Sequence, residues 1–192
     1  MARVESTMLP LGTLAPDFDL PDAFGVRHQR SDSDGAPALV VMFICNHCPF
    51  VKHLGRELGL ITQSLMARGV AVIGINANDI DAYPDDGPEH MVTTAHGYGW
   101  DFPYLLDGDQ SVAHAYRAAC TPDFFVFGAE RRLTYRGQFD DSRPGNDVPV
   151  TGKDLRNAIK ATLAGTDVAE PQHPSMGCNI KWRPGNEPEW FS

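Results

Sequence analysis

The stretch ALVVMFICNHCPF, residues 38–50, decides the fold class of this chain. Its first seven residues are all apolar and include two valines and an isoleucine, which is typical of a strand buried on both faces of a helix-covered sheet. Apolar residues then recur three or four positions apart, at Phe50, Leu54, Leu58, Ile61 and Leu65. The stretch therefore predicts a buried strand followed directly by an amphipathic helix.

Two cysteines lie at the junction between that strand and that helix. The free N–H groups and the positive dipole end of a helix N-terminus favour a thiolate over a thiol. Both cysteines are expected on the first helical turn, three positions apart, where they can also close a small disulfide, the first attacking a substrate disulfide and the second resolving the mixed disulfide. We therefore predict Cys45 as the exposed attacking residue and Cys48 as the inward resolving residue. His47 between them favours the thiolate when it is protonated.

The rest of the pattern predicts an α/β fold, a mixed central sheet of about four to five strands with helices on both faces. Further strands are expected at 69–76, 104–106, 123–127 and 132–138, and further helices at 89–98, 110–119 and 153–163. Four prolines lie within the last 27 residues. We therefore expect residues 1–165 to form one domain with an N-terminal extension, and residues 166–192 to form an irregular, proline-rich tail packed on it.

Composition excludes several function classes. The chain carries 16 Lys and Arg against 25 Asp and Glu, a net charge of −9, which disfavours nucleic-acid binding. Its longest mostly apolar run, residues 36–45, is about half of the roughly 20 residues that span a bilayer, and residues 1–16 lack the apolar segment of a signal peptide. We therefore expect a cytoplasmic protein without a membrane partner, in a compartment that keeps exposed thiols reduced.

Metal binding is an alternative interpretation of the same motif, and it would make the protein a carrier and not an enzyme. Structural zinc usually takes four ligands, often from a second cysteine pair. Cys120 and Cys178 are single and lie 58 residues apart. A copper or zinc carrier would therefore use Cys45, Cys48 and His47.

The other two cysteines leave two interpretations open. Cys120 or Cys178 could form a second disulfide with the CxxC motif or relay electrons to it. Alternatively, Cys120 is a small buried side chain and Cys178 a packed anchor of the tail, as free cysteines often are.

The order of strand, CxxC and helix, followed later by Thr121-Pro122 before the strand at 123–127, resembles the thioredoxin superfamily. In that family a cis-proline faces the CxxC motif, and the residue before it hydrogen-bonds the substrate backbone. The resemblance therefore implies that Thr121 and Pro122 position the substrate chain.

A second resemblance narrows the family. Residues 12–22, GTLAPDFDLPD, are similar to the opening of the alkyl hydroperoxide reductase/thiol-specific antioxidant group, which has an enlarged thioredoxin-like fold. The stretches CNHCPFV at 45–51, GINAND at 74–79 and GCNIKW at 177–182 resemble a bacterial thioredoxin-like family of about this length. The resemblance implies a thiol–disulfide oxidoreductase that reduces protein or small-molecule disulfides. Because the chain has no glycine-rich dinucleotide fingerprint, no cofactor is predicted and a thioredoxin or glutathione system would supply electrons.

Two departures from the family patterns bear on the activity. Peroxiredoxins carry Pro-x-x-x-Thr-x-x-Cys, and with Cys48 in the peroxidatic place, Val41 and Cys45 replace the proline and the threonine. These replacements disfavour the enzymatic alternative to a thiol–disulfide oxidoreductase, which is a thiol peroxidase that uses Cys45 or Cys48 to reduce hydroperoxides. Thioredoxin has a tryptophan before its first cysteine and a buried carboxylate on the preceding strand, whereas this chain has Ile44 and no acid between residues 36 and 44. Water or another group must therefore accept the proton of Cys48.

Overall fold

The computed structural model describes residues 3–191, so the predicted domain limits at residues 1 and 192 lie outside the described residues. In chain order, the strands are β1 (Arg3–Glu5), β2 (Asp19–Pro21), β3 (Arg27–Gln29), β4 (Ala38–Phe43), β5 (Ala71–Asn76), β6 (Tyr104–Leu106), β7 (Cys120–Thr121), β8 (Asp123–Gly128), β9 (Leu133–Gly137) and β10 (Met176–Asn179). The helices are α1 (Pro49–Met66), α2 (Pro88–Tyr98), α3 (Ser111–Ala115) and α4 (Lys153–Leu163). Among these helices, none is both long and apolar enough to span a membrane.

A mixed sheet forms the centre of the molecule. Its strand order is β6-β5-β4-β8-β9, with β4, β5 and β6 parallel and β8 antiparallel to both β4 and β9. β4 is the middle strand, and all six of its residues are buried, as its apolar run predicts. A second sheet has the order β1-β10-β7 and is antiparallel. This sheet brings the N-terminal strand β1 and the tail strand β10 to the edge of β7.

Two apolar layers cover the central sheet, and both contain β4 because its successive side chains alternate between faces. Met42 packs in the layer that holds α1, α2 and α4. Phe43 packs in the opposite layer with α3, the N-terminal segment and the tail residues Ile180 and Trp182. The predicted mixed sheet with helices on both faces is therefore confirmed, although loop segments cover much of the second face.

Element boundaries differ from the prediction where the chain makes non-local contacts. The structure gives α4 the predicted bounds and begins α1 one residue earlier than expected. The helix predicted at 110–119 is shorter, because the chain takes a left-handed backbone at Arg117 (φ 51°) and leaves the helix there. The tail is not wholly irregular, since β10 is a strand paired on both edges.

Candidate active site

The CxxC motif lies in the loop between β4 and α1. Because β4 ends at Phe43 and α1 begins at Pro49, Cys48 is the N-cap residue of the helix. Proline suits the first helical position, where its missing N–H has no partner to lose. The prediction that both cysteines lie on the first turn is therefore wrong, and the positive end of the helix acts on Cys48.

Both motif sulfurs are buried. Cys48 has no exposed surface, and Cys45 is only 1% exposed. The Thr121 hydroxyl lies 3.3 Å from Cys45 Sγ, and the Cys48 thiol donates a hydrogen bond to the Thr121 carbonyl at 3.1 Å. The prediction of an exposed Cys45 is therefore wrong, because β7 lies against both sulfurs.

The contacts of Cys48 favour its ionised form over that of Cys45. Hydrogen bonds from the thiols of Cys178 and Cys45 lower the pKa of Cys48, and the Thr121 hydroxyl and the Val51 amide act in the same direction. Burial raises the pKa of Cys45. Only a protonated Cys48 can donate to the Thr121 carbonyl. When Cys48 is ionised it loses this hydrogen bond, and its sulfur only accepts hydrogen bonds from neighbouring groups. These contacts favour a thiolate at Cys48, and the role of Cys45 as the attacking residue stays a prediction.

His47 interacts with a carboxylate that the sequence reasoning did not single out. Its Nδ1 lies 2.6 Å from Asp86 Oδ2, and its ring stacks on Tyr83 with centroids 5.8 Å apart. The negative charge of Asp86 in turn raises the pKa of Cys45. The effect of His47 on the thiols is therefore indirect, through the charge that it partly neutralises on Asp86.

Asp86 also holds the motif loop in shape. Its Oδ1 accepts the backbone N–H groups of Asn46 and His47 at 2.8 and 3.2 Å, and its Oδ2 accepts Asn78 Nδ2 at 2.7 Å. Burial opposes ionisation of Asp86, but the bonds from His47 and Asn78 lower its pKa. The GINAND stretch that contains Asn78 was the available sequence signal, because its asparagines point to a polar network next to the motif.

The three family stretches meet around Asp86. Asn76 donates to the Asp86 carbonyl at 2.7 Å, which ties the GINAND stretch to the 3-10 helix Pro84–Asp86. The side-chain oxygen of Asn78 accepts the Lys181 N–H at 2.9 Å, which ties it to GCNIKW. The CxxC loop, the end of β5 and the tail therefore form one hydrogen-bonded unit.

The Thr121–Pro122 peptide bond is cis, as the resemblance implies. The edge of β7 at Thr121 is already paired with β10, where Cys178 lies directly opposite Thr121. A substrate chain therefore cannot pair with Thr121 while β10 stays in place. The role of Thr121 and Pro122 in positioning substrate remains a prediction.

The structure places the two other cysteines differently. Cys178 packs in the same buried cluster as Cys45 and Cys48, and it lowers the pKa of Cys48. The Cys120 thiol instead donates to the Pro122 carbonyl at 3.5 Å. Of the two cysteines, Cys178 therefore joins the motif sulfurs.

A buried carboxyl group follows the cis-proline but does not replace the missing acid of β4. Asp123 begins β8 opposite Phe43, whose side chain packs on the face of the sheet away from α1. Cross-strand partners share a face, so the Asp123 side chain lies away from Cys48. Burial raises the pKa of Asp123 to about 7.

One group of side chains could hold a metal ion among the residues the structure describes. Cys45, His47 and Asp86 each bring one ligand atom within 4.8 Å of the others. Cys48 is not in this group, so the ligand set expected of a metal carrier is not brought together. Both oxygens of Asp86 already accept two hydrogen bonds each, and a metal would have to displace them. The donor set does not fit a resident ion without rearrangement.

Comparison with known proteins shows the family. The AhpC/TSA family model matches residues 11–136, more than half of the chain. The chain belongs to the AhpC/TSA family. The family membership predicted from residues 12–22 is thereby confirmed.

A curated relative and a solved structure are similar to this chain over much of its length. The thiol-disulfide oxidoreductase ResA of Geobacillus kaustophilus (strain HTA426) is 27% identical over 124 residues, which cover 64% of this chain and 66% of that protein's length. The crystal structure of a hypothetical protein from Sinorhizobium meliloti 1021 is 50% identical, with a TM-score of 0.92, and covers 94% of this chain and 99% of that chain.

A more distant structure shows the fold. The thioredoxin domain of thiol-disulfide oxidoreductase BVU-2223 from Bacteroides vulgatus is 15% identical, with a TM-score of 0.58, and covers 77% of this chain and 96% of that chain. The predicted thioredoxin-like fold is therefore confirmed.

Proposed function

We propose that this AhpC/TSA family protein is a thiol–disulfide oxidoreductase whose Cys45 and Cys48 cycle between a dithiol and a disulfide. The observation that carries the proposal is the placement of Cys48 at the N-cap of α1, where the Cys45 thiol hydrogen-bonds its sulfur and the thiolate is favoured. The relative named a thiol-disulfide oxidoreductase supports the same chemistry.

The mechanism begins at Cys48, because the negative charge lies there. The Cys48 thiolate attacks one sulfur of a substrate disulfide, forming a mixed disulfide and releasing the first substrate thiolate. Cys45 then attacks the Cys48 sulfur, closes the Cys45–Cys48 disulfide and releases the second substrate thiolate. The proton of Cys45 ends on one product thiol and the other product thiolate takes a proton from water, so the substrate gains two electrons and the protein loses two.

Access to the sulfurs limits the substrates. Both cysteines are buried, so a substrate sulfur reaches Cys48 only when the motif loop or β10 moves. Small disulfides and disulfides on flexible protein segments fit this requirement best. A thioredoxin or glutathione system would then reduce the Cys45–Cys48 disulfide. The proposal includes the cytoplasm as the compartment, because such donors are kept reduced there.

The experiment is a comparison of Cys45→Ser and Cys48→Ser with oxidised glutathione as substrate. Both variants are made in a Cys178→Ser background, so that the third thiol beside Cys48 cannot resolve the adduct. We expect Cys45→Ser in this background to accumulate one glutathionyl group on Cys48, and both variants to lose turnover by about a hundredfold or more in an assay coupled to NADPH oxidation. Intact-protein mass spectrometry and peptide mapping locate the adduct. Cys120→Ser is the matched control and keeps its turnover.

Three results would contradict parts of this proposal. A glutathionyl adduct on Cys45 in Cys48→Ser, with none on Cys48 in Cys45→Ser, would reverse the order of the two cysteines. Wild-type protein that reduces no disulfide but consumes hydrogen peroxide in the same coupled assay would replace the proposal by the peroxidase alternative. Near-stoichiometric copper or zinc with unreactive thiols, after purification without chelators, would favour the carrier.

A further inference from the structure

Cys178 reaches the motif sulfurs because of the register between β10 and β7. It lies directly opposite Thr121 in this antiparallel pair. Paired residues of antiparallel strands project their side chains to the same face. Since the Thr121 hydroxyl lies 3.3 Å from Cys45 Sγ, that face is the one that holds the CxxC motif. Cys178 accordingly packs in the same buried cluster as Cys45 and Cys48.

The same register directs Cys120 elsewhere. Cys120 precedes Thr121 on β7 and pairs with Asn179, so its side chain projects to the opposite face. Its thiol contacts the Pro122 carbonyl. The chain thus has three sulfurs in one cluster, with Cys48 between Cys45 and Cys178, and a fourth outside it.

β10 is built to approach β7 closely. A side chain on Gly177 would overlap the Thr121 carbonyl oxygen, so a glycine is needed for the two backbones to come this near. Downstream of Cys178, the buried Ile180 and Trp182 anchor the chain in the apolar layer of the second face. The position of Cys178 beside Cys48 therefore follows from packing on both sides of it.

We propose that Cys178 is a third redox-active thiol that takes over the disulfide from Cys45. The inference rests on the proposed function, which supplies the Cys45–Cys48 disulfide. In the exchange, the Cys178 sulfur attacks the Cys48 sulfur; the Cys48–Cys178 bond forms and the Cys45–Cys48 bond breaks, its electron pair going to Cys45. The proton lost by Cys178 ends on Cys45, so the exchange consumes no external oxidant or reductant.

The charge distribution suits this direction of exchange. In the reduced protein the hydrogen bond to Cys48 raises the pKa of Cys178, and burial adds to that effect. Once Cys48 is part of a disulfide, its thiolate is gone and the larger cause of the raised pKa of Cys178 disappears. Burial raises the pKa of Cys45, so a thiolate released there takes up a proton readily. The product has a disulfide between the start of α1 and β10, and a free Cys45 thiol.

Peptide mapping of the oxidised full-length chain tests this proposal. The chain is oxidised with one equivalent of diamide, remaining thiols are blocked with N-ethylmaleimide, and the protein is digested with trypsin. Cleavage after Lys and Arg leaves both motif cysteines on peptide 31–52 and Cys178 on peptide 161–181. A linked pair of these two peptides therefore reports a disulfide between Cys178 and the motif.

We expect wild type to yield the linked pair, and Cys120→Ser to yield it within about twofold of the wild-type amount. Cys178→Ser and Cys178→Ala should reduce it at least tenfold. Cys45→Ser should still form it, which assigns the bond to Cys48. The proposal is overturned if oxidised wild type contains only the disulfide within peptide 31–52 and oxidised Cys45→Ser yields no linked pair. Such a result would leave the proposed function intact, because disulfide reduction by wild type is measured separately.

Discussion

At the scale of single residues, Asp86 determines the geometry of the CxxC loop. Its carboxylate accepts four hydrogen bonds, two from backbone N–H groups of the motif and two from His47 and Asn78. A loop that lies before an N-cap has no helical hydrogen bonds of its own, so a buried acceptor must satisfy its amides. Asp86 does so from nearly 40 positions away in the sequence.

We predict that Asp86→Asn destabilises the protein by about 3 kcal/mol, because hydrogen bonds to a charged group contribute more than neutral ones and an amide nitrogen would face two donors. It should also speed alkylation of Cys45, since the Asp86 charge raises the pKa of that thiol. Urea unfolding under reducing conditions and iodoacetamide kinetics measure the two effects. The matched control is Asp85→Asn, at an exposed neighbour, which should change stability by less than about 0.5 kcal/mol. Equal stability of the two variants would contradict the role given to Asp86.

The identity of the reactive residues could be predicted from the sequence, but their environment could not. Cys45 and Cys48 were found because a cysteine pair between a strand and a helix is a local pattern. The lowered pKa of Cys48 depends on Cys178, which is brought near by the pairing of β10 with β7. The burial of Cys45 likewise depends on Thr121. Both contacts join residues that are far apart in the sequence, so no spacing pattern along the chain reveals them.

At the scale of secondary-structure elements, helices with a local apolar period can be predicted from the sequence, whereas a strand formed by non-local pairing cannot. α1 and α4 were predicted because their apolar stripes repeat over three or more turns. β10 was missed because four residues, MGCN, show no alternation and lie between prolines. These residues form a strand because they pair with β1 and β7. Both neighbours lie far from the tail in the sequence, so the tail alone gives no signal of the pairing.

We predict that Gly177→Ala forces β10 away from β7. The added Cβ would lie 2.7 Å from the carbonyl carbon of Thr121, and that backbone cannot move aside without disturbing Pro122. Overpacking of this kind costs about 1–3 kcal/mol. If the strain is relieved by opening of β10, alkylation of Cys48 should rise about tenfold for each 1.4 kcal/mol. Iodoacetamide kinetics with peptide mapping measure this rate.

The control for this substitution is Gly97→Ala. Gly97 lies near the end of α2 and is exposed, with nothing within 4 Å of an added Cβ. Alanine favours helix over glycine by up to about 1 kcal/mol, so this variant should be at least as stable as wild type and have unchanged thiol reactivity. Gly177→Ala with wild-type alkylation of Cys48 would show that β10 does not shield the sulfur.

At the scale of the whole molecule, the two ends of the described chain complete the site. β1 and β10 pair with each other, and β10 pairs with β7 beside the cis-proline. Ser6, just after β1, accepts the Ser175 N–H on its hydroxyl oxygen at 2.7 Å, just before β10. The terminal segments and the cis-proline loop therefore lie together beside the central sheet, where the buried carboxyl group of Asp123 begins β8.

That carboxyl group makes global stability depend on pH in a defined direction. Burial raises the pKa of Asp123 from 3.8 to about 7, so between these pH values the folded protein holds a proton that the unfolded chain has released. The free energy of unfolding therefore falls as the pH rises through this window. At 1.36 kcal/mol per pH unit, the loss amounts to about 4 kcal/mol.

Asp123→Asn removes the titration and keeps the size of the side chain. We expect the stability of wild type relative to Asp123→Asn to decrease by about 4 kcal/mol between pH 4 and pH 8, so that the variant is the more stable protein at the alkaline end. Urea unfolding at each pH, followed by tryptophan fluorescence with a phosphine reductant, gives both curves. The difference between them cancels the contributions of all other titrating groups, including the buried Asp107. Asp167→Asn, in an exposed part of the tail, should run parallel to wild type. If Asp123→Asn also runs parallel to wild type, the carboxyl group titrates in the folded protein as it does in the unfolded chain, and its burial does not hold it neutral.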